Sequence, residues 1–482
     1  MRRLLLIAAA SVMASAGCQV GPSYKPPLVP IPDEFAWTNG HTESPPSHPA
    51  AWWTLFNDPV LNTLITQATA NNFNLRIAAE RIDQYRAQYG VASADLYPDI
   101  GALANYSRNR VPTTDFGQTG SGEGEFNQWN IGLDATWEVD LFGRISRSIE
   151  AAVGDLQAEV ENWRYAMITL RAEVASSYLS LRTLQARLEV GNQNIEAQQR
   201  FVEIIELQIA AGTETASALA QAQAQLAQSE AIIPQLGVTM ATETANLALL
   251  LGTTPGPLTR SIPNGHGLPA VPTEVAIGIP ADLLRRRPDV RAAERELAAA
   301  TARIGQATAD LYPKLSLSGS FGFGASQSSD LLQWASRSYS VGPSFSWDIF
   351  NGGRVRAVIN QQESLTREAL LTYEKTVIQA IGEVESSLVG FVLSAHQRDD
   401  LKRATASAQL AYDLSLDQYE HGVIDFLEVI LVQQSLLEIE DSLAQSQGLC
   451  AETMVELYRS IGGGWTTGTL PTLASETKDS SS

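Results

Sequence analysis

Few of the 482 residues have a type and spacing that could carry out a reaction. The five histidines, His41, His48, His266, His396 and His421, are scattered, with no HExxH or other paired metal-ligand spacing among them. No Gly-x-Ser-x-Gly element is present. Gly319-Ser-Phe-Gly-Phe-Gly324 does not continue into the Lys-Ser/Thr of a phosphate loop. Two cysteines cannot make a disulfide framework, and Cys450 is expected to be a small buried helix residue. With 33 basic residues against 53 acidic ones the formal charge is −20, so a nucleic-acid partner is not expected. These residue types point away from an enzyme, a metal site or a bound cofactor.

Cys18 is the one nucleophile whose neighbours imply a covalent step. Arg2 and Arg3, the apolar run Leu4–Ala10 and the small residues up to Gly17 read as a secretory signal peptide, too short to span a bilayer stably. Ser15-Ala16-Gly17 directly before Cys18 resembles a bacterial lipobox, in which the thiol takes a diacylglycerol and the new N-terminus an acyl chain. Lipidation of Cys18 is therefore expected, and Gln19 in the next position would send the chain to the outer membrane. After Cys18 no run of about 18 apolar residues appears, so no transmembrane helix is expected.

The elements that must do the work come from a duplication. Ala94-Asp-Leu-Tyr-Pro98 recurs as Ala309-Asp-Leu-Tyr-Pro313, and Trp137–Arg144 matches Trp347–Arg354. Gly212 and Gly252 align with Gly422 and Gly462 in the same register, as tandem repeats require. Each repeat holds two alternating segments, at about 99–108 and 129–140 and at about 314–325 and 339–350. One side of these segments is apolar, as in Trp129, Ile131, Leu133, Phe321, Phe323, Tyr339, Val341 and Phe345. The other is Ser, Gly and acid, including Asp134, Glu138 and Asp348. Segments of about ten residues with apolar-out, polar-in alternation suit an outer-membrane barrel. Between them run proline-free stretches from Arg144 to Ala211 and from Arg354 to His421. Leu156, Val160, Trp163, Met167, Leu170 and Val174 fall at steps averaging near 3.5, the seam of a coiled coil.

The expected fold is mainly α with transmembrane β, from a tandem-repeat protomer. Four strands cannot close a barrel, since the smallest transmembrane barrels need about eight. Several chains must share one barrel, and three would give twelve strands, a trimeric β-barrel continuous with an α-helical tunnel. The expected organisation is a signal peptide at 1–17, a lipidated extended segment at 18–57 and a first repeat at 58–265. A second repeat at 266–465 and a disordered tail at 466–482 complete it. The long helices fall at about 145–252 and about 354–461. Asp134, Glu138 and Asp348 would line the lumen.

Gly17-Cys-Gln-Val-Gly-Pro-Ser-Tyr24, Ile279–Glu294, the paired Leu-Tyr-Pro blocks and Leu457-Tyr-Arg-Ser-Ile-Gly-Gly-Gly-Trp465 carry a resemblance to a known family. The sequence resembles the TolC-type outer-membrane efflux factors, most closely the NodT-like and OprM-like lipoprotein branch. The resemblance implies a homotrimeric channel-tunnel in the outer membrane, lipid-anchored and reaching into the periplasm. An inner-membrane RND pump and a periplasmic adaptor would recruit it to expel small toxic compounds. An exit duct for polypeptides in type I secretion is the alternative within the family, and a non-channel coiled-coil lipoprotein the alternative outside it. The resemblance also implies a periplasmic constriction near the glycine turns, with Asp425, Leu427 and Glu428 as gate candidates. The family's Leu-Asp-Ala-Gln element reads Ile430-Leu-Val-Gln433 here, and Asp425 and Glu428 would also suit a plain helix start.

Overall fold

The computed structural model of the chain describes residues 19–30, 50–111, 124–262, 267–271 and 286–465. The signal peptide, Cys18 and the tail at 466–482 lie outside the described residues. After a short turn of 3-10 helix at Trp52–Phe56 come α1 (Pro59–Asn71), α2 (Phe73–Ala94), β1 (Asp99–Val111) and β2 (Gly124–Val139). Next are α3 (Arg144–Ala210), α4 (Ala216–Leu250), α5 (Pro255–Ser261) and α6 (Pro288–Ala309). The chain continues through β3 (Lys314–Ala325), β4 (Arg337–Ser346), α7 (Arg354–Glu420) and α8 (Phe426–Ser460). The duplication extends to helix length. Both α3 and α7 have 67 residues, α4 and α8 have 35, and α2 and α6 have 22.

The four strands form one antiparallel sheet in the order β1-β2-β3-β4, leaving β1 and β4 as its edges. Residues directly opposite in an antiparallel pair share a face, so the register sorts the side chains. One face carries rows such as Ala102–Leu133–Phe321–Tyr339 and Ile100–Ala135–Gly319–Val341. The other carries Gly101–Asp134–Ser320–Ser340 and Asp99–Thr136–Ser318–Gly342. Gly132 and Gly322 sit opposite each other on the polar face, where a Cβ on Gly132 would come within 2.9 Å of the Phe321 carbonyl.

Two strand ends differ from the alternation. β2 begins at Gly124, because Gly124–Gln128 pairs with Ser107–Val111, although Glu125 and Asn127 interrupt the apolar pattern there. β4 ends at Ser346, four residues before the alternation does. The Ile349 N–H bonds the Trp347 carbonyl at 3.0 Å, the Trp347 indole donates to the Leu311 carbonyl at 3.0 Å, and Gly352 and Gly353 take positive φ to start α7. Asp348 is thereby corrected from a strand position to the junction between β4 and α7.

The chain forms two compact units, and neither coincides with a repeat. The first takes in residues up to Leu28 with Arg81–Glu159 and Ala292–Glu374; it holds the sheet, α6 and the first turns of α3 and α7. Close approach at its helices is set by glycine: a Cβ on Gly154 would meet the Ala299 Cβ at 2.9 Å. Its N-terminal strap is fixed by the Val20 N–H on the Phe142 carbonyl (3.2 Å) and by the Tyr24 hydroxyl donating to Glu294 (3.1 Å). Burial, with the Glu294 charge beside it, pushes the Tyr24 hydroxyl upward in pKa.

The second unit takes in Val29–Glu80, Val160–Arg291 and residues from Lys375 onward. Trp52 stacks on Tyr458 with ring centroids 5.5 Å apart, and Trp465 lies under the guanidiniums of Arg164 and Arg291 at 4.9 and 5.5 Å. Glu161 accepts from both arginines at 2.8 and 2.7 Å, so one carboxylate offsets one of the two positive charges above the ring. Arg171 donates to the Gly464 carbonyl and lies 5.0 Å from the Trp53 ring centroid; burial lowers its pKa to about 10. Against the expectation of no transmembrane helix, α7 contains a stretch apolar enough to cross a membrane by length and composition, with mean hydropathy 1.4. Val377, Ala380, Val384, Leu388 and Phe391 of α7 are buried, and Ser387 and Ser394 bond Ser460 and Thr453 of α8 at 2.7 and 2.8 Å. One side of that part of α7 is packed against protein, while Ile378 and Leu393 on it remain exposed.

The two faces of the sheet should respond differently to charge. Val341→Arg, mid-strand on the apolar face, should destabilise the inserted protein by ~2–4 kcal/mol, while Phe345→Arg, one residue from the strand end, should cost ~0–1 kcal/mol. Ser340→Arg on the polar face should insert normally. Urea titration of liposome-inserted protein gives all three values; equal damage from Val341→Arg and Ser340→Arg would mean that the faces are not differently solvated.

Candidate functional site

The turns at Gly212 and Gly422 are built by the same device. Gly212 and Gly422 take φ of +76° and +69°, a region that glycine enters without a Cβ penalty. The Thr213 N–H bonds the Gln208 carbonyl and the Gly212 N–H bonds the Ile209 carbonyl, both at 2.9 Å. Val423 to Gln418 and Gly422 to Tyr419 repeat this at 2.9 Å. These are Schellman motifs, which satisfy the last helix carbonyls and reverse the chain. Thr215 then caps α4 by accepting from the Ala218 N–H at 3.2 Å.

The two turns are held together by a small apolar core. Phe201, Ile205 and Ala222 of the first repeat pack with Phe426, Val429 and Ile430 of the second. The Phe426 ring lies 5.7 Å from Phe201 and 5.4 Å from Tyr419, centroid to centroid. The Tyr419 hydroxyl donates to Gln208 Oε1 at 2.6 Å. Burial raises the Tyr419 pKa, so the hydroxyl keeps its proton through the neutral range. The signal for this lock was the aromatic pair Tyr419 and Phe426 flanking Gly422.

Asp425, Leu427 and Glu428 stay outside that core. Asp425 is the N-cap of α8, yet its carboxylate makes no capping hydrogen bond. Glu428 lies in the first turn, with its N–H on the Asp425 carbonyl at 3.1 Å. Both acids are exposed, and Leu427 and Leu431 are half exposed at helical spacing. One face of α8 is thus consumed by packing, and the adjoining face presents Leu427, Glu428 and Leu431 to solvent. His421 is held above its ordinary pKa by the Asp417 carbonyl and carboxylate, so it carries a positive charge at mildly acidic pH.

In the sheet, Asp134 stands on the polar face between Gly101 and Ser320. Glu138 accepts from Arg144 at 2.8 and 2.9 Å, and Asp348 from Arg354 at 3.2 Å. The second pair is the first shifted by one repeat. The Glu138 hydrogen bonds raise the Arg144 pKa, an effect that outweighs the opposing cost of burial. Asp140 caps α3 through the Ile145 and Ser146 N–H groups at 3.0 and 2.8 Å. Two of the three acids expected to line a lumen therefore also hold the strand–helix junctions. Among the described residues no group of three His, Cys, Asp or Glu is placed to hold a metal ion.

A sheet with one apolar and one polar face, joined to paired helical hairpins far longer than a globular core needs, defines the protomer of a channel. The outer membrane efflux protein family matches residues 64–253 and 279–463. Nodulation protein T of Rhizobium leguminosarum bv. trifolii is 31% identical over 458 residues, 93% of this chain and 95% of that one. Toluene efflux pump outer membrane protein TtgI of Pseudomonas putida is 32% identical over 464 residues, 94% and 97% of the two chains. The solved outer-membrane channel OprN superposes with a TM-score of 0.85 at 34% identity, over 93% of this chain and 100% of that one. The chain belongs to the outer membrane efflux protein family. Its function is that of an outer-membrane channel of tripartite efflux, a transport duct and not an enzyme.

The packing at the turns sets an order of sensitivities. Phe426→Ala, which empties a buried site between both repeats, should cost ~3–5 kcal/mol and speed hydrogen exchange over 201–209 and 419–430. Leu427→Ala should leave exchange there nearly unchanged. Equal protection in both variants would show that the aromatic core does not hold the turns together.

Proposed function

We propose that three copies of this chain join edge to edge, β4 of one to β1 of the next, and close a twelve-stranded barrel. The barrel would carry small toxic compounds out of the cell, driven by an inner-membrane RND pump through a periplasmic adaptor. The observation that carries this reading is the sheet itself, with two open edges, one face apolar through its middle rows and one face mainly of Ser, Gly, Asn and Asp. Asp134 and Glu138 then face the lumen, and Asp348 sits at its helical end. The relatives named for solvent and toluene efflux match over nearly the whole chain, which supports small molecules as cargo.

Cys18 carries the lipid in this reading. The support is the seat of the residues that follow it: Val20 is bonded to Phe142, and Gln19 lies against Gly143, where an added Cβ would meet the Gln19 side chain at 2.8 Å. This is the junction where β2 leaves the sheet for α3, and an acyl chain starting one residue earlier has the bilayer within reach.

Asp425, Leu427 and Glu428 form the constriction. Three symmetry-related copies would bring like carboxylates around one axis, with Leu427 as an apolar ring. Crowded carboxylates attract cations and repel one another, so helix contacts must hold the closed state. The Phe426 core and the Tyr419–Gln208 bond are suited to that task.

In planar bilayers the resting pore should be narrow, cation-selective and blocked by multivalent cations from the periplasmic side. Asp425→Ala and Glu428→Ala, singly and together, should lower selectivity and weaken the block; unchanged values would reduce both acids to helix-start residues. A deletion strain should become hypersensitive to a panel of small toxic compounds and recover with the wild-type gene. Unaltered growth across the panel would contradict the cargo class.

A further inference from the structure

The apolar face of the sheet ends in arginines. On β1 the row Ile100, Ala102, Ala104, Tyr106 is continued on the same face by Arg108 and Arg110. Arg337 opens β4 on that face, opposite Phe323. All three lie at the end of the sheet away from the starts of α3 and α7. Arg108 pairs with Glu125, yet their side chains remain 65% and 49% exposed. Arg110 is exposed, opposite Glu125 in the ladder. Arg337 donates to the Trp334 carbonyl at 2.7 Å and lies 4.4 Å from the Trp334 ring centroid. Just inside this rim the Tyr106 and Trp129 rings are 4.3 Å apart. Among the described strand residues on this face three arginines stand against one glutamate, with Asp330 in the connection between β3 and β4.

We propose that Arg108, Arg110 and Arg337, with Tyr106, Trp129 and Trp334, dock the phosphate groups of the phosphorylated glycolipid in the outer leaflet. The proposal rests on the channel reading, in which the apolar face meets lipid and the hairpin end meets the cell exterior. Guanidinium is weakly hydrated and matches phosphate with paired donors, so it suits the border between hydrocarbon and headgroup. Aromatic rings with a polar tip belong at the same depth. Edge-to-edge closure would bring Arg337 of one copy beside Arg108 and Arg110 of the next, concentrating the charge at each seam.

The test uses the full chain extracted in mild detergent and native mass spectrometry to count retained lipid. The probes are a bisphosphorylated diglucosamine lipid, the same lipid without phosphates, and inorganic phosphate as competitor. The wild type should retain the phosphorylated lipid and not the dephosphorylated one, with inorganic phosphate failing to displace it. Replacing the three residues together, R108S/R110S/R337S, should lower retention by about tenfold or more, the scale of losing charge-assisted hydrogen bonds. The lysine set R108K/R110K/R337K should keep most of it, which guards against a folding defect in the serine set. Equal retention of the two lipids, equal retention by wild type and the serine set, or displacement by inorganic phosphate would overturn the proposal. Conductance of the wild-type preparation separates the two readings: a conducting wild type without lipid preference overturns only the rim, whereas a non-conducting one overturns the channel.

Discussion

Backbone amides and carbonyls in hydrocarbon must be hydrogen-bonded, and a four-stranded sheet leaves two edges where they are not. The rest of the architecture answers to that constraint. β1 and β4 are both edges, and each hairpin comes from one repeat. Duplication inside the chain and, in the proposed assembly, repetition of the chain solve one geometric problem at two levels. A wide barrel of short, small-residue strands becomes possible without a long sequence devoted to β structure.

The helices inherit that repetition. α3 and α7 have the same length, end in the same Schellman turn and return through helices of equal length. Near-identical hairpins can pack side by side with little invention, and the two turns meet through Phe201, Phe426 and the Tyr419–Gln208 bond. The repeats then diverge where a difference matters. Thr215 caps its helix, whereas Asp425 at the matching place leaves its carboxylate unused for capping, beside Leu427 and Glu428. A symmetric scaffold therefore carries acids at the N-cap and first turn of the return helix in the second hairpin alone.

Much of the fold was legible because its determinants are local and periodic. Alternation along 314–325 marks a strand because side chains in β structure change face at every residue. Gly212 and Gly422 mark helix reversals because a positive φ is easiest for glycine. What was hidden depends on partners distant in sequence. Glu125 and Asn127 broke the apolar pattern, so the start of β2 became visible only through its pairing with Ser107–Val111. Asp348 continued the alternation, yet the backbone had already left the ladder to begin α7. The two compact units mix the repeats, because each gathers helices that the duplication places far apart. At the candidate site, Asp425 and Glu428 were legible as a helix start, while the aromatic core beneath them was not.

In the proposed assembly the open edges of this sheet are closed by further copies of the same chain. The most direct measurement is the mass of the gently extracted, membrane-inserted protein by native mass spectrometry. Three copies, lost together when proline is placed within β1 or added to β4 beyond its native Pro343, is the predicted result. A single copy, or an assembly of another number that survives proline in both edges, would contradict the account.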